Sequence, residues 1–164
     1  MMIESLFDWL LGAGREAALF VISMVPLVEL RGAVPVGIAA GMPWYEVLPI
    51  CVIGNLAPIP IVLFFAEKML DFLAKLPFLK KFATSYKEKL YQKQDKVTKY
   101  ARFGLFLFVA IPLPGTGAWS GAAIASLLKM KRSWAFLSIA MGVIGAGLIM
   151  SLVSSGVLAV AGIV

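Results

Sequence analysis

The stretch from residue 24 to 41, MVPLVELRGAVPVGIAAG, places two charges, Glu29 and Arg31, inside an otherwise uncharged apolar run. An ionisable side chain at the centre of a bilayer costs about 2.5–3.5 kcal/mol on insertion scales and marks a functional site by default. In an unbroken helix, residues two apart point roughly 200° away from each other, so Glu29 and Arg31 cannot line one cavity. Pro26, Gly32 and Pro35 offer a way out. Proline removes a helical hydrogen bond and clashes with the preceding turn, and glycine tolerates the dihedrals of a break. The stretch is therefore expected to form two half-helices with a polar turn between them.

The remainder of the chain makes lipid the natural solvent. Of its 164 residues 61% are hydrophobic, and the mean hydropathy is +0.93, well above a soluble domain. One membrane domain over 1–164 is expected, with no separate soluble domain. MMIESLFDWLLG carries Glu4 and Asp8 in place of a basic start and lacks a small-residue cleavage site, so it reads as retained. A single cysteine, Cys51, gives no disulfide framework or thiolate metal cluster, and the absence of histidine removes the commonest general base and metal ligand. No cofactor is expected. The net charge of +6 is local: residues 67–102 hold ten Lys/Arg against four Asp/Glu, and the rest balances five against five. Such a stretch belongs on the cytoplasmic side of the plasma membrane, and the membrane explains its charge without nucleic acid.

Taken in order, residues 1–14 suit an interfacial helix, too short to span. Residues 17–66 form a first unit: the interrupted run to Gly41, a turn with Pro43 and Trp44, then a spanning segment VLPICVIGNLAPIPIVLFFA. Asn55 is that segment's strongly polar side chain, and the freed backbone of the broken run is its expected partner. In the basic region, Leu79, Phe82, Tyr86, Leu90 and Val97 recur near helical spacing with lysines between them. They predict a basic amphipathic helix that lies against anionic headgroups, packs on its own domain, or recruits a partner. Residues 103–164 form a second unit. FGLFLFVAIPLPGTGAWSGAAIASLL is interrupted by Pro112, Pro114, Gly115 and Gly117, with basic residues on both flanks, so it is expected to dip in and return to the cytoplasmic face. By the same logic residues 17–41 dip in from the outer face, and the run from Ser133 spans. Gly142, Gly145, Ala146 and Gly147 permit close helix approach there.

Both units therefore show a broken hairpin, a turn and a spanning helix. VPLVELRGAVPVGIAA is similar to IPLPGTGAWSGAAIA, with Pro26 beside Pro112 and Gly32-Ala33 beside Gly117-Ala118, across a one-residue gap. The expected fold class is an all-α integral membrane protein, an inverted repeat of two re-entrant helical hairpins, each followed by a transmembrane helix, with the basic helix between the repeats. Discontinuous helices of this kind place a site near the midplane, where the first N–H groups of a new half-helix lack intrahelical partners. Pro35 suits the first turn of one half-helix and Thr116 could cap the other. With Arg31 added, the midplane is a candidate anion site, and Glu29 a candidate proton carrier. The alternative is a buried Glu29–Arg31 pair that only holds the broken segment together.

PLVELRGAVPVGIAAG, GNLAPIPIVLFF and FVAIPLPGTGAWSGAAIASLL resemble the signature regions of the putative small multi-drug export family over nearly the whole chain, and more distantly the DedA/VTT superfamily. The superfamily resemblance implies two facing re-entrant hairpins and movement of lipids such as polyprenyl phosphates across the bilayer, in some members with proton coupling. Its expected acidic residue falls on Glu29 and its motif proline on Pro35. The chain departs from it in lacking an arginine in IPLPGTGAWSG, which leaves Arg31 to bring that charge from the first hairpin. The expected function is a small transporter or lipid flippase acting on an anionic lipid phosphate or amphipathic small molecule through Glu29, Arg31, Pro35, Asn55, Pro112, Pro114, Gly115, Thr116 and Gly117. Its expected partners are membrane lipids, protons and a second copy of the chain. Export of cationic drugs through Glu29 and a non-transporting scaffold built on the basic helix are the alternatives. An enzyme is not expected, since neither a metal site nor a second intramembrane acid stands beside Glu29.

Overall fold

The computed structural model describes residues 14–65, 94–113 and 115–160, and these contain helices and turns without strands. The helices are α1 (Arg15–Met24), α2 (Glu29–Ala39), α3 (Trp44–Leu56), α4 (Gln94–Ala110), α5 (Ala118–Leu127) and α6 (Arg132–Val160). After a turn at 57–58, where Pro58 and Pro60 interrupt the hydrogen-bond ladder, helix resumes through residue 65. Two stretches are long and apolar enough to cross a membrane, Trp44–Phe65 and Arg132–Val157. At about 1.5 Å per residue, α1, α2 and α5 reach only about half the ~30 Å hydrocarbon core. The expected interfacial helix lies outside the described residues except for Gly14, and so do residues 67–93 of the basic region. Helix α4 begins at Gln94, within the stretch assigned to that region.

Several contacts fix which ends lie together. Arg15 Nη1 donates to Ala40 O at 3.2 Å, so α1 starts where α2 finishes. At the opposite end of the bundle the Arg132 guanidinium lies over the Phe64 ring at 5.1 Å, and Arg102 over Trp134 at 3.9 Å. The start of α6 therefore meets the far end of the Trp44–Phe65 stretch, and Gly147 of α6 packs on Leu48 and Val52. The two long stretches run antiparallel. A helix–break–helix hairpin opens from each end: α1–α2 from one, α4–α5 from the other.

Several backbone hydrogen bonds and close contacts of the first hairpin and its long helix recur in the second at fixed offsets. Helix α2 ends with Gly41 N–H donating to Ile38 O at 3.0 Å and Met42 N–H to Gly37 O at 3.1 Å. Gly41 is left-handed, with φ 79°, which completes a Schellman C-cap. Eighty-eight residues on, Lys129 N–H donates to Ser126 O and Met130 N–H to Ala125 O, both at 3.0 Å, and Lys129 has φ 50°. Met42 and Met130 are both buried beneath their caps. The next helices open alike, with Val47 N–H bonded to Pro43 O and Ala135 N–H to Lys131 O. Before the breaks the offset is 86: a Cβ at Gly54 would meet Phe20 O, and one at Gly142 would meet Phe106 O. This register corrects the sequence alignment. Pro26 and Pro112 do correspond, but Gly32 and Ala33 fall opposite Ser120 and Gly121. The change of offset from 86 to 88 puts two extra residues after Pro112, not marked by any sequence match, and makes Glu29 the counterpart of Gly117.

Leu30, Val34, Val47, Cys51, Ile59, Ile139 and Val143 are fully buried, and Ala118 and Ala122 of α5 let neighbouring backbones approach. Large apolar side chains cover the outside instead of charges; Ile53, Ile61, Leu137, Leu148 and Leu152 are all exposed. Among the described residues with described side chains, every charge except Glu29 and Arg31 lies near one end of the bundle: Arg15, Glu16 and Glu46 at one, Arg102, Lys129, Lys131 and Arg132 at the other.

Candidate functional site

The first break occupies residues 25–28, earlier than the expected polar turn. Pro26 forces the residue before it out of the helical region, and Val25 is extended, at φ −69° and ψ 127°. Leu27 is left-handed at φ 75° and Glu29 at φ 50°. Helix then runs unbroken from Glu29, with Gly32 and Pro35 inside it. Pro35 is thus the seventh residue of α2, not a first-turn residue; lacking an N–H, it leaves the Arg31 carbonyl without its helical donor. The left-handed Glu29 overturns the expectation from regular helix geometry. Its side chain meets that of Arg31, with Nη1 donating to Oε2 at 3.0 Å.

The second break runs from Ile111 to Gly117, with Pro112 inside it and Gly115 left-handed at φ 84°. Pro114 lies outside the described residues. Thr116 does not cap α5. Its Oγ1 donates backward to Ile111 O at 2.8 Å and Leu113 O at 2.9 Å, closing the loop onto the end of α4. The N-cap of α5 is Gly117, which has no side chain to give, and Ser120 Oγ accepts only the Gly117 N–H, at 2.8 Å.

Both ends of this second break are held by the first hairpin. The Glu29 carboxylate accepts the N–H of Ala118 at 3.2 Å through Oε2 and that of Trp119 at 3.1 Å through Oε1. It thereby caps α5 from across the molecule, where an acidic group is favoured by the helix dipole. Arg31 Nη2 donates to Val109 O at 3.0 Å, in the last turn of α4, and to Ile111 O at 3.4 Å and Thr116 O at the two ends of the break. Glu29 is 4% exposed, and the Arg31 side chain 16%. The opposite charges of the pair answer the opposite needs of the two helix ends. A Cβ at Gly117 would fall on the Glu29 carboxylate, so only glycine leaves the seat open.

Of the residues singled out in the sequence, Glu29, Arg31, Thr116 and Gly117 converge at this one place, with Pro112 and Gly115 shaping the loop. Asn55 departs from expectation. It is fully buried, and neither of its amide atoms has a partner, so it does not bond the freed backbone of the first hairpin. The site also uses groups that sequence reading missed, the amides of Ala118 and Trp119 and the carbonyl of Val109. A side-chain-less N-cap ahead of α5 was the available signal, because such an end needs an acceptor from elsewhere. The Arg31 Nε–H at this site is buried without an acceptor, and so is the indole N–H of Trp119. No group of three or more metal-ligating side chains occurs among the described residues.

A family model described as Putative small multi-drug export protein matches residues 29–149, from Glu29 itself through most of α6. No curated protein and no solved structure matches the chain.

Proposed function

The chain belongs to the Putative small multi-drug export protein family, and from that premise we propose that it is a small membrane transporter or lipid flippase. The family's name speaks for export and for a transporter over an enzyme. In this reading the two hairpins are re-entrant, enter from opposite faces and form an inverted repeat, with the end bearing Arg102, Lys129, Lys131 and Arg132 in the cytoplasm. The matched hydrogen bonds at offset 88 support the repeat. So does the meeting of Glu29 with its own counterpart Gly117, as a two-fold axis passing between them requires. The substrate is an anionic lipid phosphate or an amphipathic small molecule carrying an oxyanion, moved with protons past the midplane by a chain that works as an oligomer.

One observation carries this assignment: a carboxylate, a guanidinium and two helix-start amides meet midway between the ends of an apolar bundle. Structural pairing alone needs no unused donors, yet Arg31 and Trp119 each hold one. Export of cations is less favoured, since both Glu29 oxygens are already engaged by donors. The test is flux of a fluorescently labelled lipid phosphate in proteoliposomes. Glu29→Gln and Arg31→Ala should each slow it at least tenfold against the unaltered protein. Equal rates in all three would remove the site. Deleting residues 80–100 addresses the scaffold alternative, because a transporter keeps measurable flux without them.

A further inference from the structure

The seat for an anion at the start of α5 is already filled by this chain's own carboxylate. From that we infer that Glu29 and the transported oxyanion compete for a single set of donors, so that each anion bound requires one proton delivered to Glu29. The inference rests on the transporter reading above and adds its coupling rule.

The donors in question are the N–H groups of Ala118 and Trp119 and Nη1 of Arg31, all directed at Glu29. A carboxylate and a phosphodiester present the same kind of acceptor oxygens to such donors. Both cannot sit there charged, since two anions sharing one buried site repel strongly. Protonation makes the Glu29 carboxyl neutral, weakens its hold on two amides and a guanidinium, and leaves a proton of its own to donate. The incoming anion takes those donors, and Arg31 keeps its charge balanced. The buried donor of the same guanidinium that Glu29 does not use, Arg31 Nε–H, fits a ligand with more acceptor oxygens than a carboxylate.

Among the described side chains no other ionised group complicates the exchange. Within α2, Arg31 is the one charged neighbour of Glu29; α4 and the second break offer the carbonyls of Val109, Ile111 and Thr116, and α5 offers amides. The described charges of α1, α3, α4 and α6 lie toward the bundle ends, and the buried polar residues of α1, α3 and α6 are Ser23, Cys51, Asn55, Ser138, Ser151 and Ser154. Charge bookkeeping then gives an electroneutral unit, one proton with one monoanion.

The experiment is calorimetric titration of the detergent-solubilised full chain with dihexanoyl phosphatidylglycerol, a phosphodiester whose charge is constant from pH 5.5 to 8.5, and in parallel with dimethyl phosphate, which has the same headgroup chemistry and no chains. Two buffers of different ionisation enthalpy report protons taken up per anion bound. The unaltered protein should take up about one proton per anion bound, and its affinity should fall as pH rises, by linkage. Glu29→Gln should bind with no uptake and without that pH slope. Binding by both probes or by the lipid alone supports the inference, and the difference says whether the chains are recognised. Anion binding to the unaltered protein with no proton uptake at any pH overturns it while leaving transport intact. Failure of both probes to bind overturns the inference, and if the protein also shows no lipid-phosphate flux it overturns the transporter reading as well. The proton count needs only the unaltered protein, so it stands even where Glu29→Gln does not fold.

Discussion

The two helix breaks are built to one plan and filled in opposite ways. The break at 25–28 is short, forced by Pro26, and is followed at once by Glu29 and Arg31, the charges that lie away from the bundle ends among the described side chains. The break at 111–117 is longer, uncharged, and capped by a glycine. At equivalent positions the first half places Glu29 and Arg31 where the second places Gly117 and Trp119. One half supplies the ligands; the other supplies bare helix ends and the room for them. A symmetric site with two acids would set like charges against each other, and one with two glycines would leave a helix start uncapped in an apolar interior. The difference between the two breaks meets both needs with one ion pair.

The largest expected effect breaks that division of labour. Arg31→Ala leaves Glu29 charged, buried and without its cation, and strips the end of α4 of its donor, so it should lower unfolding stability in detergent by about 3–5 kcal/mol. Gly117→Ala attacks the same contact from the other side. The added methyl displaces the Glu29 carboxylate, and a loss of about 1–3 kcal/mol is expected together with a fall in lipid-phosphate flux. A Cβ at Gly115, by contrast, would meet nothing within 4 Å, so Gly115→Ala should cost only the left-handed backbone penalty of about 1–2 kcal/mol and leave the carboxylate seated. The pair Gly54→Ala and Gly142→Ala sharpens the repeat itself. Each methyl presses on a carbonyl one helix away, and the two losses in melting stability should agree within about 0.5 kcal/mol, near 1–3 kcal/mol each. Loss at one position alone would mean that the halves pack by different rules.

Much of this fold was legible before any coordinates. The long apolar runs are the two span-length stretches, and Pro26 and Pro112 sit in the two breaks because a proline's missing N–H and its constraint on the preceding residue act locally. The placement of Glu29 was not legible. Its partners Ala118 and Trp119 are 89 and 90 residues away, and nothing in a run of apolar letters says that a non-glycine residue adopts φ 50°. The register of the repeat was hidden for a related reason. Two extra residues after Pro112 and the exchange of Glu29 for Gly117 erase similarity where the site lies. The surviving marks are far from it, in Met42 with Met130 and Gly54 with Gly142. Asn55 followed no local rule, since a buried amide with neither atom bonded is costly wherever it occurs; the structure shows it, and we have no physical account of it.

The central claim is that the first hairpin's carboxylate sits on the start of α5. The amide proton resonances of Ala118 and Trp119, followed by NMR in micelles as pH is lowered, test it most directly. Both should lie downfield and move upfield together as Glu29 takes its proton, and in Glu29→Gln both should start at the upfield position and no longer titrate. Two amides that ignore pH and the substitution alike would place the carboxylate elsewhere and contradict the account.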